Sequence, residues 1–182
     1  MSRYPEICFD QGLYFRKQTL RNRYHILSPN GNQALIIPTV HTGGKSQPMG
    51  EVKISYADNW TMKHWRSLEA AYRRSPFFEF YEDDLRQIYF AEHEKLSDFN
   101  KHILEWIFST LGINTAVRFS EVTPGPEFLG PDDHRSLSET GDPDTSETDR
   151  YLQVFAGKME FVPGLSVLDA VFNCGKAVHL EE

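Results

Sequence analysis

Cysteine, basic charge and long apolar runs are all scarce in this chain, and each scarcity closes off a class of function. The two cysteines, Cys8 and Cys174, lie near opposite ends of the 182 residues, with no Cys-x-x-Cys spacing. That argues against a disulfide framework and fits two unreactive thiols in a reducing compartment. Acids outnumber bases, giving a net charge of −7. Binding to nucleic acid requires a basic surface to neutralise phosphates, so no nucleic-acid partner is expected. No apolar run reaches the length of a membrane span, and the opening, Met1 to Asp10, lacks the apolar centre of a signal peptide. The expected location is the cytoplasm. There is no Gly-x-Ser-x-Gly elbow and no Gly-rich loop ending in Lys-Ser/Thr, which disfavours a serine hydrolase or a P-loop enzyme. Asp98 and His102 stand one helical turn apart, and Asp132, Asp133 and His134 adjoin, but no His- or Cys-rich partner segment accompanies either group. No metal is expected there, and no cofactor is legible.

Against these absences stand 40% hydrophobic and 13% aromatic residues, enough to build a core. The pattern predicts a single domain over residues 1–182, α/β or α+β, with a small mixed sheet and three to four packed helices. Extended segments are expected at Glu6–Asp10, Gln18–Leu27, Gln33–Val40, Glu51–Ser55 and Ala116–Val122. Ser28-Pro29-Asn30-Gly31 reads as a hairpin turn, since Asn-Gly tolerates positive φ. Helices are expected from Trp60 to about Arg73, from Phe77 to about Phe90 behind Ser75-Pro76, from Ser97 to Leu111, and from Ser166 to a stop at Gly175. Between Pro131 and Arg150 there are seven acids, two basic residues and one large aliphatic, Leu137. Such a stretch buries too little apolar area to offset its ordering entropy, so 123–150 reads as a mobile acidic loop.

The sharpest local feature is Arg16 to His25, which holds four permanent cations and no acid. If extended, it sets Arg21, Arg23 and His25 on one face and Gln18, Asn22 and Tyr24 on the other. Arg21 and Arg23 then suit a diphosphate or carboxylate. The alternative is a strand whose arginines pair with acids on the helices, Glu82-Asp83-Asp84 among them. Trp60 and His64 are one helical turn apart. A Trp face suits a sugar or base and His64 suits a general base, while a core Trp with a hydrogen-bonded His is the plainer reading. Tyr72 belongs to an aromatic cluster at the turn between the first two helices and has a hydroxyl to present. Gln153, Asp169 and Asn173 are polar residues near an apolar C-terminal helix. Asp169 is most simply the partner of Ser166 in a capping box, and Asn173 stays open.

Four ordered blocks resemble the WbqC-like family, especially its Bacteroidetes branch. They are Lys17 to Arg23 with Ile26 and Ile37 to Val40; Trp60 with His64-Trp65; Ala71 to Tyr81; and Tyr151 to Phe155 with Phe161 to Asp169 and Phe172 to Gly175. Members of that family open with a further strand and helix carrying a Tyr-x-Pro type motif. This chain begins near the end of that helix, so the resemblance implies an N-terminally short domain. It would also leave a sheet edge free for a second copy. The resemblance further implies a place in surface-polysaccharide (O-antigen-like) biosynthesis, with acyl or aminoacyl transfer to a nucleotide-linked amino sugar. The partner is then a small anionic ligand such as a nucleotide sugar, met by Gln18, Arg21, Asn22, Arg23, His25, Trp60, Tyr72, Gln153 and Asn173, with His64 catalytic. The alternative is a non-catalytic binding or assembly component, or an inactive remnant, of the same pathway.

Overall fold

The computed structural model describes residues 4–44, 46–120, 134 and 150–177. Within them run β1 (Glu6–Asp10), β2 (Arg23–Ser28), β3 (Gly31–Ile36), α1 (Trp60–Tyr72), α2 (Phe78–Phe90), α3 (Leu96–Leu111), β4 (Ala116–Ser120) and α4 (Val167–Cys174). The class is α+β: four helices with mixed strand pairing in one domain. Pairing is confined to two ribbons. β1 and β4 run parallel, with Glu6 opposite Ala116, and β2 and β3 form the expected antiparallel hairpin. The expected acidic loop, 123–150, lies almost wholly outside the described residues.

Several extended segments come out shorter than their apolar patterns suggest. Residues 18–22 are turn rather than strand, and Gln18 sits at φ +62. In the hairpin, Ser28 pairs with Gly31, so Pro29 and Asn30 form the tip, and only Gly31 takes positive φ, at 100°. β3 stops before Pro38, which has no N–H for a ladder. Glu51–Ser55 makes single bridges, Ile54 with Thr39 and Lys53 with Lys95, instead of a strand.

The helices follow their sequence signals closely. Asn59 caps α1 by accepting from the Met62 N–H, and Gly112 ends α3 in the left-handed region at φ 68. α2 starts at Phe78, one residue later than expected, without a side-chain cap. α1 buries Trp60, His64, Leu68 and Tyr72, with Trp65 beside them, and α2 buries Phe78, Tyr81, Leu85 and Tyr89. Both sets recur at three- and four-residue spacing, the period that keeps side chains on one helix face. Leu168, Val171 and Phe172 of α4 join the same cluster, with Ile26 and Leu35 of the hairpin. Phe172 packs 4.9 Å from Tyr72, with the rings tilted, and 5.1 Å from Phe78, edge to face, ring centre to ring centre. The C-terminal helix is therefore part of the one core.

Candidate functional site

The hairpin sits between two polar groups, because alternate residues of β2 point to opposite faces. On one face is Tyr24. Its hydroxyl accepts from the Tyr89 hydroxyl at 2.7 Å and meets His64 Nδ1 at 3.2 Å. His64 Nε2 lies 3.1 Å from the carbonyl oxygen of Ile36. A carbonyl only accepts, so Nε2 carries the proton and Nδ1 receives the Tyr24 O–H. Trp60 lies edge-on to the same imidazole, with ring centres 5.0 Å apart. Burial raises the Tyr24 and Tyr89 hydroxyls above the usual tyrosine range. Burial also lowers the His64 pKa from 6.5 to about 4, against a smaller opposing effect from its bond to Ile36. Trp60 and His64 are thus neighbours, as their spacing implies, but both are enclosed.

A pH dependence of stability follows from His64. The folded chain holds the ring neutral, while the unfolded chain protonates it below 6.5. Stability from this group is full above 6.5 and is lost as pH falls toward about 4, a swing of about 3 kcal/mol. Denaturant unfolding across that window is expected to show the loss. His64→Gln, which does not titrate, is expected to flatten it by a comparable amount.

The other face of β2 carries Arg23 and His25. Arg23 Nε and His25 Nε2 are both buried and have no hydrogen-bond partner. They sit two residues apart, so their backbones are roughly 7 Å apart along the strand. A buried polar atom without a partner costs about 1–3 kcal/mol, and two on one strand face call for a functional explanation. His25 Nδ1 lies 2.7 Å from Asn32 Oδ1 across the hairpin, and the His25 carbonyl accepts from the Ser166 N–H at 2.8 Å. Arg21 falls in the turn before the strand and is buried. It donates from Nη1 to the Tyr14 carbonyl at 3.1 Å, so it does not share the strand face with Arg23. Asn22 is tied to Ile37, side chain and backbone, with its Oδ1 left without a partner. Gln18 is exposed. Glu82, a candidate partner for the basic strand, pairs with Arg73 at 2.9 Å.

A third group gathers around Asp169, which is 0% exposed. Its Oδ2 accepts from the Tyr151 hydroxyl at 2.6 Å and from Gln153 Nε2 at 3.2 Å. Gln153 also bridges both backbone groups of Val162, donating to its carbonyl and accepting from its N–H. The Tyr72 hydroxyl accepts from the Leu27 N–H at 3.0 Å and interacts with the same carboxylate. Asn173 donates to the Asp169 carbonyl at 2.7 Å. Tyr72 and Gln153, from distant parts of the sequence, thus converge on one carboxylate, while Asn173 holds the backbone carbonyl of the same residue one turn away. Burial raises the Asp169 pKa, opposed by the bonds from Tyr151, Tyr72 and Gln153. Burial likewise raises Tyr72 and Tyr151, with the Asp169 charge adding to it.

Asp169 is the residue that sequence reasoning set aside. Ser166 caps α4 with its side chain on the Leu168 N–H, as the motif implies. The Ser166 N–H is given to His25, however, and the Asp169 carboxylate turns inward instead of closing a reciprocal box. The signal was its place in the apolar stripe of Leu168, Val171 and Phe172. Tyr24 and Tyr89 were passed over because nothing in one sequence pairs a strand residue with a helix residue 65 positions on.

Elsewhere, a shallow concavity of about 460 Å³ is lined by Val40, Lys53, Ile54, Tyr56, Glu92, His93 and Glu94. It holds none of the expected site residues. Among the described residues no group of three His, Cys, Asp or Glu assembles for a metal, and no helix is long and apolar enough to cross a membrane.

This α+β chain, with its polar hairpin face, matches the model of the WbqC-like protein family over residues 6–127. The chain belongs to that family. It is also 29% identical over 191 residues to the uncharacterised protein Rv1507c of Mycobacterium tuberculosis (strain ATCC 25618 / H37Rv), covering 90% of this chain and 81% of the relative. No solved structure matches.

Proposed function

We propose that the chain is a transferase acting on a nucleotide-linked amino sugar in surface-polysaccharide (O-antigen-like) biosynthesis, moving an acyl or aminoacyl group. The observation that carries this reading is the buried, unpartnered guanidinium nitrogen of Arg23 on the hairpin. A buried guanidinium N–H without a partner, on a half-buried arginine, suits an anionic group that arrives with the ligand, because charge-assisted bonds are strong where water is excluded. Arg21 and Asn22 then shape the turn that presents Arg23, and the Asp169 group holds the C-terminal segment against β2 through Ser166 and His25.

Purified protein is expected to convert nucleotide-linked amino sugars to N-acylated products when given activated acyl or aminoacyl esters, read by mass spectrometry. Absence of product across both donor classes, with the sugar bound, would replace this reading with its alternative, a non-catalytic binding component of the same pathway. The enclosure of His64, with both ring nitrogens engaged, favours that alternative unless another base is present.

A further inference from the structure

Transfer to an amine needs a group to take the amine's proton, and His25 of β2 and His64 of α1, which meet opposite faces of the strand, differ in what they can offer. His64 has none to spare, since Nε2–H is given to Ile36 and the Nδ1 lone pair is taken by Tyr24. His25 is arranged the other way. Its Nδ1 faces Asn32 Oδ1 at 2.7 Å, and an amide oxygen only accepts, so the proton of the neutral ring sits on Nδ1. The lone pair is then on Nε2, which has no hydrogen-bond partner. The ring is positioned from two sides. Asn32 holds its edge, and the backbone is fixed by the ladder to Ala34 and by the Ser166 N–H. Arg23 stands two residues away on the same strand face, a donor beside an acceptor. This is the orientation logic of a base whose far nitrogen is held by a hydrogen-bond acceptor.

We infer that His25 Nε2 accepts the hydrogen of the ligand's amine, with Arg23 holding the anionic group of the same ligand. The inference rests on the transferase reading above and names its proton acceptor. In the step, the amine lone pair forms a C–N bond to the acyl carbon of an activated ester. The bond from that carbon to the leaving group breaks, and the leaving group departs with the electron pair. His25 takes the proton from nitrogen and returns it to the leaving group or to solvent. No oxidation or reduction is involved.

The test uses the full chain labelled with ¹⁵N-histidine. In the free protein, the neutral His25 ring is expected to carry its proton on Nδ1 and none on Nε2. A nucleotide-linked amino sugar is expected to move the His25 Nε2 resonance and leave His64 in place. In turnover, His25→Gln is expected to lower kcat by about 100-fold or more with KM changed little, the effect of losing a positioned base. A proton on Nε2 of the neutral ring in the free protein, a His25 signal unmoved by saturating sugar, or a His25→Gln variant that keeps its kcat would each overturn the assignment. A wild-type protein in which the sugar moves His25 Nε2 but no product forms would sink the transferase reading and leave the amine contact standing.

Discussion

Asp169→Ala is expected to destabilise the chain by about 3 kcal/mol, a fall in Tm of roughly 6–12 °C for a chain of this size. Two effects oppose each other at this position. Removing the carboxylate abolishes the cost of burying a charge, which by itself is stabilising. It also strips the acceptor from Tyr151, bonded at 2.6 Å, and weakens the hold on Gln153 and Tyr72. A buried donor left without a partner costs about 1–3 kcal/mol. Gln153 loses least, because it keeps Val162. The tyrosine hydroxyls lose most, and their loss decides the sign. Asp169→Asn keeps an acceptor oxygen and is expected to cost less than the alanine variant.

The two Asp169 variants also separate by pH. The folded chain raises the pKa of Asp169 above its usual 3.8, with burial as the main cause. Between the usual and the raised value the folded state binds more protons than the unfolded state, so stability falls as pH rises through that window. The advantage of wild type over Asp169→Asn is therefore expected to grow as pH is lowered from the raised value toward 3.8. Thermal melts of both proteins over a pH series check this. The trend is opposite in sign to that from His64, so the double variant with His64→Gln reports whether the two groups act independently.

Arg23→Met is expected to weaken binding of a nucleotide-linked amino sugar by about 10- to 100-fold, the loss of one charge-assisted hydrogen bond. Methionine keeps an apolar stem of similar shape and deletes the guanidinium. Because Arg23 Nε has no partner in the folded chain, its removal breaks no hydrogen bond at that nitrogen. Tm is expected to stay within about 2 °C of wild type. A residue kept for ligand and one kept for stability part company here. Loss of binding at constant Tm marks the first, and loss of Tm would mark the second. Arg23→Lys is expected to be intermediate, since an ammonium retains the charge without the Nε donor.

Helices were the most legible part of this chain, and strands the least. α1, α2 and α3 announce themselves by aromatic and aliphatic residues at helical spacing, and by Asn59 and Gly112 at their ends. That information is local. Strand lengths depend on partners. Gln18–Leu27 is apolar and basic enough to read as one strand, yet β3 offers residues only as far as Arg23, so the five residues before it turn. The same error placed Arg21 beside Arg23. The polar groups show the contrast again. Trp60 and His64 meet as their i, i+4 spacing requires, whereas Tyr24 with Tyr89 and Tyr72 with Asp169 are brought together only by tertiary packing. Tyr72, Gln153 and Asn173 were each legible as polar residues beside apolar surface. The carboxylate that joins Tyr72 and Gln153 was not, because a carboxylate three residues after a serine satisfies a local rule on its own.

The ligand's place on β2 is tested most directly by a structure of the chain bound to a nucleotide-linked amino sugar. An oxygen of its anionic group is expected within hydrogen-bond distance of Arg23 Nε, with the amine toward His25 Nε2. A ligand seated instead in the concavity of Lys53, Tyr56 and His93, with Arg23 and His25 unchanged, would contradict the account.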